Sequence, residues 1–205
     1  MHMSPGPVSR RPVRAARIAV IALAVLAAAA AGTWAASRGG PARPARAAGA
    51  ASAASKVPDG AFTLLDGRQA TLAVLRGRPA VVWFVAGGCA SCAASIPAVA
   101  GHLGAFTRAG TRVLVLGMPG VFGQGPAGTA ALASFGKAAA GTAFASPAWT
   151  WGVASEPLTA AFDPSGTPDA YFLLDAAGHV TYQNSVPVST MGALLAHLPA
   201  RTTGG

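Results

Sequence analysis

The sequence predicts an α/β domain, a central mixed sheet flanked by helices and opened by an N-terminal β-hairpin, behind a single N-terminal transmembrane helix. Three observations predict it. An unbroken apolar run, Ala80-Val81-Val82-Trp83-Phe84-Val85, leads into a helical stripe that begins near Cys89. Hairpin signals stand at both ends of the folded part, and 20 uncharged residues, Ile18 to Ser37, follow four arginines. With 205 residues, the chain has room for one core of ordinary size and an appendage.

The appendage is set apart by its charge. The net charge is +9, but eight of the 15 cations lie in residues 1–56, which hold no Asp or Glu. The other seven face all six acids beyond them, so the folded part is nearly neutral and offers no basic face for nucleic acid. As a helix, residues 18–37 would reach roughly 30 Å, the thickness of a hydrocarbon core. Arg10, Arg11, Arg14 and Arg17, within the basic segment 1–17, favour the cytoplasmic side, which sends the C-terminal domain out of the cytoplasm. The alternative is a cleaved secretory signal: the strongly apolar part, Ile18 to Leu26, is short, and Thr33 and Ala35 suit the small-residue positions of a peptidase site. Either way the domain is exported, tethered in the first case and secreted in the second. Residues 38–56 hold no large hydrophobe, cannot offset their ordering entropy, and read as a flexible linker whose cations can lie near anionic lipid. The domain then spans 57–200, with a tail at 201–205.

Within the domain, Phe62 to Leu65 and Gln69 to Leu72 flank Asp66-Gly67-Arg68, and a D-G pair between apolar runs predicts a hairpin. Ala80 to Val85 predicts a strand covered on both faces. Cys92, Ile96, Val99, Leu103 and Phe106 then recur at steps of four and three, one face of a helix in which Pro97 predicts a kink. Arg112 to Gly117 predicts the next buried strand. The Gly- and Pro-rich stretch Met118 to Thr129 predicts a loop, Ala130 to Ala140 a helix, and Thr142 to Ala145 a short extended piece. Ala170 to Leu174 and His179 to Gln183 predict a second hairpin about Asp175–Gly178, before a last helix from Ser189 to Leu198 with Met191, Leu194, Leu195 and Leu198 inward.

The chain has two cysteines, separated by Ala90 and Ser91, so neither a multi-bridge scaffold nor a four-cysteine zinc site can form within it. Their placement after a buried strand and at the start of a helix points to thiol chemistry. Unpaired N–H groups and the positive dipole end at a helix N-terminus stabilise a thiolate, the attacking species in disulfide exchange. Cys89 is then the exposed nucleophile and Cys92 the resolving thiol. Two other readings use the same pair. One is an inert bridge, which would close too small a loop to stabilise much. The other is soft-metal binding or delivery, of copper or zinc, with His102 and Met118 as the nearest further ligands along the chain. Trp149 and Trp151 could line a substrate groove but read first as packing; Glu156 and Asp169 could tune a cysteine but read first as solvated surface.

From Val57 to about Leu198 the chain resembles the thioredoxin superfamily, in particular its exported, membrane-anchored TlpA-like thiol–disulfide oxidoreductases. The resemblance rests on Phe62-Thr63-Leu64 with Asp66-Gly67, Leu75 to Pro79, the strand running into Cys89-Ala90-Ser91-Cys92, Pro97, and Gly166-Thr167-Pro168 followed by Tyr171 to Gly178. It implies a redox-active Cys89–Cys92 disulfide, no bound cofactor, and a cis Thr167-Pro168 bond that shapes the substrate-docking edge together with Gly88. It also implies exported thiol or disulfide proteins as substrates, reduction as the favoured direction, and an integral-membrane thiol carrier as electron donor. Three positions depart from the pattern. Gly88 stands where the family commonly has Trp, and Ser95 where some cytochrome-c-maturation members have Glu. Trp83 stands where thioredoxin itself has a buried acid that accepts the resolving thiol's proton, so a water or another side chain would have to serve. The peroxiredoxin branch needs a Thr three residues before its reactive cysteine, and Ala86 is there.

Overall fold

The computed structural model describes residues 59–200. The predicted anchor, linker and tail lie outside them, and no helix among the described residues is long and apolar enough to cross a membrane.

Seven strands form one sheet in the order β2-β1-β5-β4-β3-β6-β7. The predicted first hairpin is present as β1 (Ala61–Leu64) and β2 (Gln69–Thr71), paired antiparallel. Asp66 closes its turn by accepting from the Arg68 backbone N–H at 3.0 Å. β3 (Ala80–Val85) is buried along its whole length. It pairs parallel with β4 (Arg112–Gly117) on one side and antiparallel with β6 (Ala170–Leu174) on the other. β6 continues into β7 (Val180–Ser185) through the predicted second hairpin.

The period of two along β3 divides the core. Val81, Trp83 and Val85 belong to one apolar layer, Val82 and Phe84 to the other. The first layer is covered by α1 (Ala90–Arg108), α3 (Gly125–Ala140) and α5 (Pro187–Ala196). The second is covered by a 3-10 turn at Leu72–Leu75 and by α4 (Glu156–Phe162). The buried face of α1 carries the five predicted stripe residues and also Ser95, a polar side chain in a run of apolar ones. Pro97 lies inside α1, which continues through it to Arg108.

Two expectations fail in the middle of the chain, and one strand there was not foreseen. The predicted loop holds a short helix, α2 (Pro119–Phe122), and the first turn of α3. Pro119 and Pro126 occupy the opening turns of those helices, where a missing N–H costs no hydrogen bond. The predicted extended piece at Thr142 to Ala145 is a 3-10 turn, Gly141–Ala145. The strand in this region is β5 (Trp149–Ala154), which fills the gap between β1 and β4. Trp149 and Trp151 are buried there, edge to face with centroids 5.0 Å apart, and serve packing.

Gly152 in β5 is needed for sheet closure. A Cβ at this position would stand 2.8 Å from the Thr63 carbonyl oxygen of β1 and 2.9 Å from the Phe62 ring. Gly152→Ala should therefore destabilise the domain by about 1–3 kcal/mol through overpacking. Chemical denaturation measures this, and an unchanged midpoint would contradict the β1–β5 register.

Candidate active site

The C-terminal end of β3 gathers three segments by backbone hydrogen bonds. Phe84 O accepts from Asp169 N at 2.9 Å, Val85 O from Met118 N at 2.9 Å, and Ala86 O from Cys89 N at 3.4 Å. The chain then turns through Gly87 and Gly88. Gly88 has φ +77°, a left-handed conformation that side chains resist, and is exposed. This is the local reason for glycine where a tryptophan would be expected.

Cys89 is the N-cap of α1. Its Sγ accepts from Cys92 N at 3.1 Å, so the sulfur occupies the place an N-cap oxygen usually takes. Cys89 and Cys92 are joined as a disulfide, with their Cα atoms 5.3 Å apart. Cys92 is fully buried, whereas Cys89 is half-buried and packs against both apolar layers, as a residue at the end of the sheet between them must. The Ser91 hydroxyl stands 3.3 Å from Cys89 Sγ. One sulfur is thus open to a partner and the other is held behind it.

Thr167 and Pro168 lie on the segment that Asp169 ties to β3, and so reach the same end of the sheet as Gly88 and the cysteines. The Thr167 hydroxyl pairs with Ser165 at 2.9 Å and lines a shallow cleft of about 360 Å³ with Asp163, Gln183 and Asn184. The expected cis bond is absent: no cis peptide occurs among the described residues. Pro168 and Asp169 instead make a turn in which Asp169 has φ 71°. Proline followed by a left-handed residue is the pattern of a type II turn, which takes its proline in the trans form.

Asp169, expected on solvated surface, is fully buried. Its Oδ1 accepts from Trp83 Nε1 at 2.9 Å and its Oδ2 from Ser95 Oγ at 3.0 Å. Two of the three departures from the family pattern therefore meet on one carboxylate. Ser95 is itself fixed by the Val188 backbone N–H, which donates to its hydroxyl at 3.1 Å from the start of α5. Burial pushes the Asp169 carboxyl above its ordinary value of 3.8, against the hydrogen bonds from Trp83 and Ser95. The sequence signal for this residue was an acid immediately before a fully buried strand. Glu156, the other acid considered, is exposed at the start of α4. Of the soft-metal candidates, His102 lies on an exposed face with Nδ1 against Ala98 O, while Met118 is buried beside β3. No cluster of three or more His, Cys, Asp or Glu able to hold a metal occurs among the described residues.

Solved structures with this architecture are numerous. The described domain resembles a secreted Mycobacterium tuberculosis disulfide oxidoreductase homologous to E. coli DsbE at TM-score 0.52 and 21% identity, covering 68% of this chain and 96% of that one. The chain has the thioredoxin fold. The thioredoxin domain of a Bacteroides vulgatus thiol–disulfide oxidoreductase gives TM-score 0.55 at 15% identity, covering 71% and 96%. Peroxiredoxin Q of Xanthomonas campestris gives 0.52 at 23%, covering 70% and 95%. No family model and no curated protein matches the sequence. The thioredoxin fold is thus shared with disulfide oxidoreductases and with a peroxiredoxin, and the C-x-x-C pair stands at the start of α1.

The buried carboxylate gives a stability prediction. In the window above 3.8 the folded state holds a proton that the unfolded state has lost, so stability falls as pH rises through it. Asp169→Asn removes that penalty. Thermal unfolding of the oxidised protein should show the variant melting above wild type at pH 7, with the advantage gone below about pH 4. A variant less stable at every pH would contradict the assignment.

Proposed function

We propose that this protein is an extracytoplasmic thiol–disulfide oxidoreductase that reduces disulfides of exported proteins. The observation that carries the reading is the Cys89–Cys92 pair at the cap of α1, with Cys89 Sγ accepting from Cys92 N at 3.1 Å. In the reduced protein the same N–H and the helix dipole act on a thiolate, and both lower its pKa. Cys89 attacks a substrate sulfur, the substrate's S–S bond breaks, and one substrate thiolate leaves. Cys92 then attacks Cys89, closing the internal disulfide and releasing the second substrate thiolate. No bound cofactor takes part.

Thr167, Pro168 and Gly88 form the docking edge in this reading. The cleft beside Thr167 offers Gln183 and Asn184 to the backbone of an extended client. Export follows from the apolar segment 18–37 and the arginines before it, with segment 18–37 holding the domain at the membrane. Reduction in an oxidising compartment needs a source of electrons, and an integral-membrane thiol carrier is the partner that suits it.

The test is insulin-disulfide reduction with dithiothreitol as electron source. Wild type should accelerate it, and Cys89→Ser should fall to the uncatalysed background. Full activity without Cys89 would overturn the reading. Stoichiometric copper or zinc on the reduced protein, lost with the cysteine pair, would instead favour soft-metal delivery by the same thiols.

A further inference from the structure

The cleft beside Thr167 has a chemistry that backbone contacts to a client do not use. It lies between the end of α4, the segment before β6, and β7, and Asp163 is the one charged residue lining it. Asp163 directly follows α4 and is 7% exposed. Its Oδ1 accepts from the Ser165 hydroxyl at 2.6 Å, while its Oδ2 is buried and has no hydrogen-bond partner. No Lys, Arg or His stands within ion-pair distance of it among the described residues: the ion pairs there join Arg68 to Asp66, Arg76 to Asp59 and His179 to Asp175. A buried charge is normally paired, so a carboxylate answered by one hydroxyl is an incomplete arrangement.

The direction of the hydroxyl protons shows what the cleft accepts. A serine hydroxyl has one proton, and that of Ser165 goes to Asp163. In the 2.9 Å contact between Ser165 and Thr167, the Thr167 hydroxyl is therefore the donor. Its proton is used inward, and it offers the cleft lone pairs. Asn184 is engaged as well, donating to the Tyr182 hydroxyl and accepting from Ser185 N. The polar wall thus presents an acceptor backed by negative charge, which selects a donor that carries positive charge.

The apolar wall narrows the choice further. Phe162 and Phe172 line the same cleft, edge to face with centroids 5.0 Å apart. The aliphatic stem of a basic side chain, or a guanidinium plane, rests favourably on such rings. A neutral side chain would leave the carboxylate unanswered.

We propose that this cleft is a subsite for a lysine or arginine side chain of the client, with Asp163 as the specificity-determining residue acting through the Ser165 and Thr167 hydroxyls. The inference rests on the exchange activity proposed above and names its substrate class: disulfides with a basic residue nearby. The cleft is placed for this. Phe162 and Phe172 belong to the apolar layer that Cys89 also packs against. Thr167 stands two residues before Asp169, whose N–H is held by Phe84 O, and Cys89 N is held by Ala86 O just beyond. At about 3.3 Å per residue, the basic side chain sits roughly three to five residues of extended client from the attacked sulfur.

The experiment separates this subsite from the exchange reaction itself. Peptides with one internal disulfide are made in matched pairs, one with arginine and the other with citrulline, its neutral isostere. The residue is placed at each position roughly two to six residues to either side of the disulfide. Reduction is followed with dithiothreitol as electron source, and the arginine-to-citrulline ratio is taken within each protein, so a general loss of activity does not imitate the effect. Wild type should favour arginine by about tenfold in kcat/KM at one or more placements, with the difference in KM. Asp163→Asn should bring the ratio close to one, and Thr167→Val, at an exposed position and of the same shape, should lower it in part. A wild type without preference at every placement, or a preference that Asp163→Asn keeps, would overturn the subsite while leaving exchange intact. Should that variant not fold, a preference kept in full by Thr167→Val would do the same. If wild type reduces neither kind of peptide, the functional reading falls and this inference with it.

Discussion

The geometry of the site depends on the last carbonyls of β3. That strand is hydrogen-bonded on both sides and buried on both faces, so its end cannot shift without breaking two strand pairings. Phe84 O holds Asp169, Val85 O holds Met118, and Ala86 O receives Cys89 N as α1 begins. Two segments far apart in sequence are thus fixed to the last two residues of one strand, and the local turn that opens α1 follows directly from it. Each such bond contributes only about 1 kcal/mol net, but leaving any of these buried groups unpaired would cost about as much or more. The cysteine pair is placed by this arrangement.

Around that anchor, two residues singled out in the sequence meet on one carboxylate. The Trp83 indole and the Ser95 hydroxyl both donate to Asp169. Gly88 is a separate matter, set by the positive φ of the turn into α1.

Much of this was legible in the sequence. The unbroken apolar run of β3 and the four-three spacing of α1 identify themselves because burial on two faces, or on one helical face, leaves a periodic trace. The cysteines were legible because those two elements frame them. β5 was missed because its period is obscured: Gly152 interrupts it, and glycine weakens a strand signal at the place where a neighbouring backbone comes close. The start of α3 was missed because Pro126 and its neighbouring glycines read as loop, whereas proline in a first helical turn favours the helix. Asp169 was misplaced because burial of an acid depends on donors supplied by residues 74 and 86 positions away, which no local pattern records. The trans Thr167-Pro168 bond has the same origin, in the left-handed Asp169 that follows it.

In the proposed function the cap of α1 stabilises Cys89 as a thiolate. The measurement closest to it is the pH dependence of Cys89 alkylation by iodoacetamide, in a Cys92→Ala variant that leaves one thiol, followed by mass spectrometry. The expected midpoint lies well below the value of about 8.5 for a free cysteine. A midpoint at or above about 8.5 would contradict it.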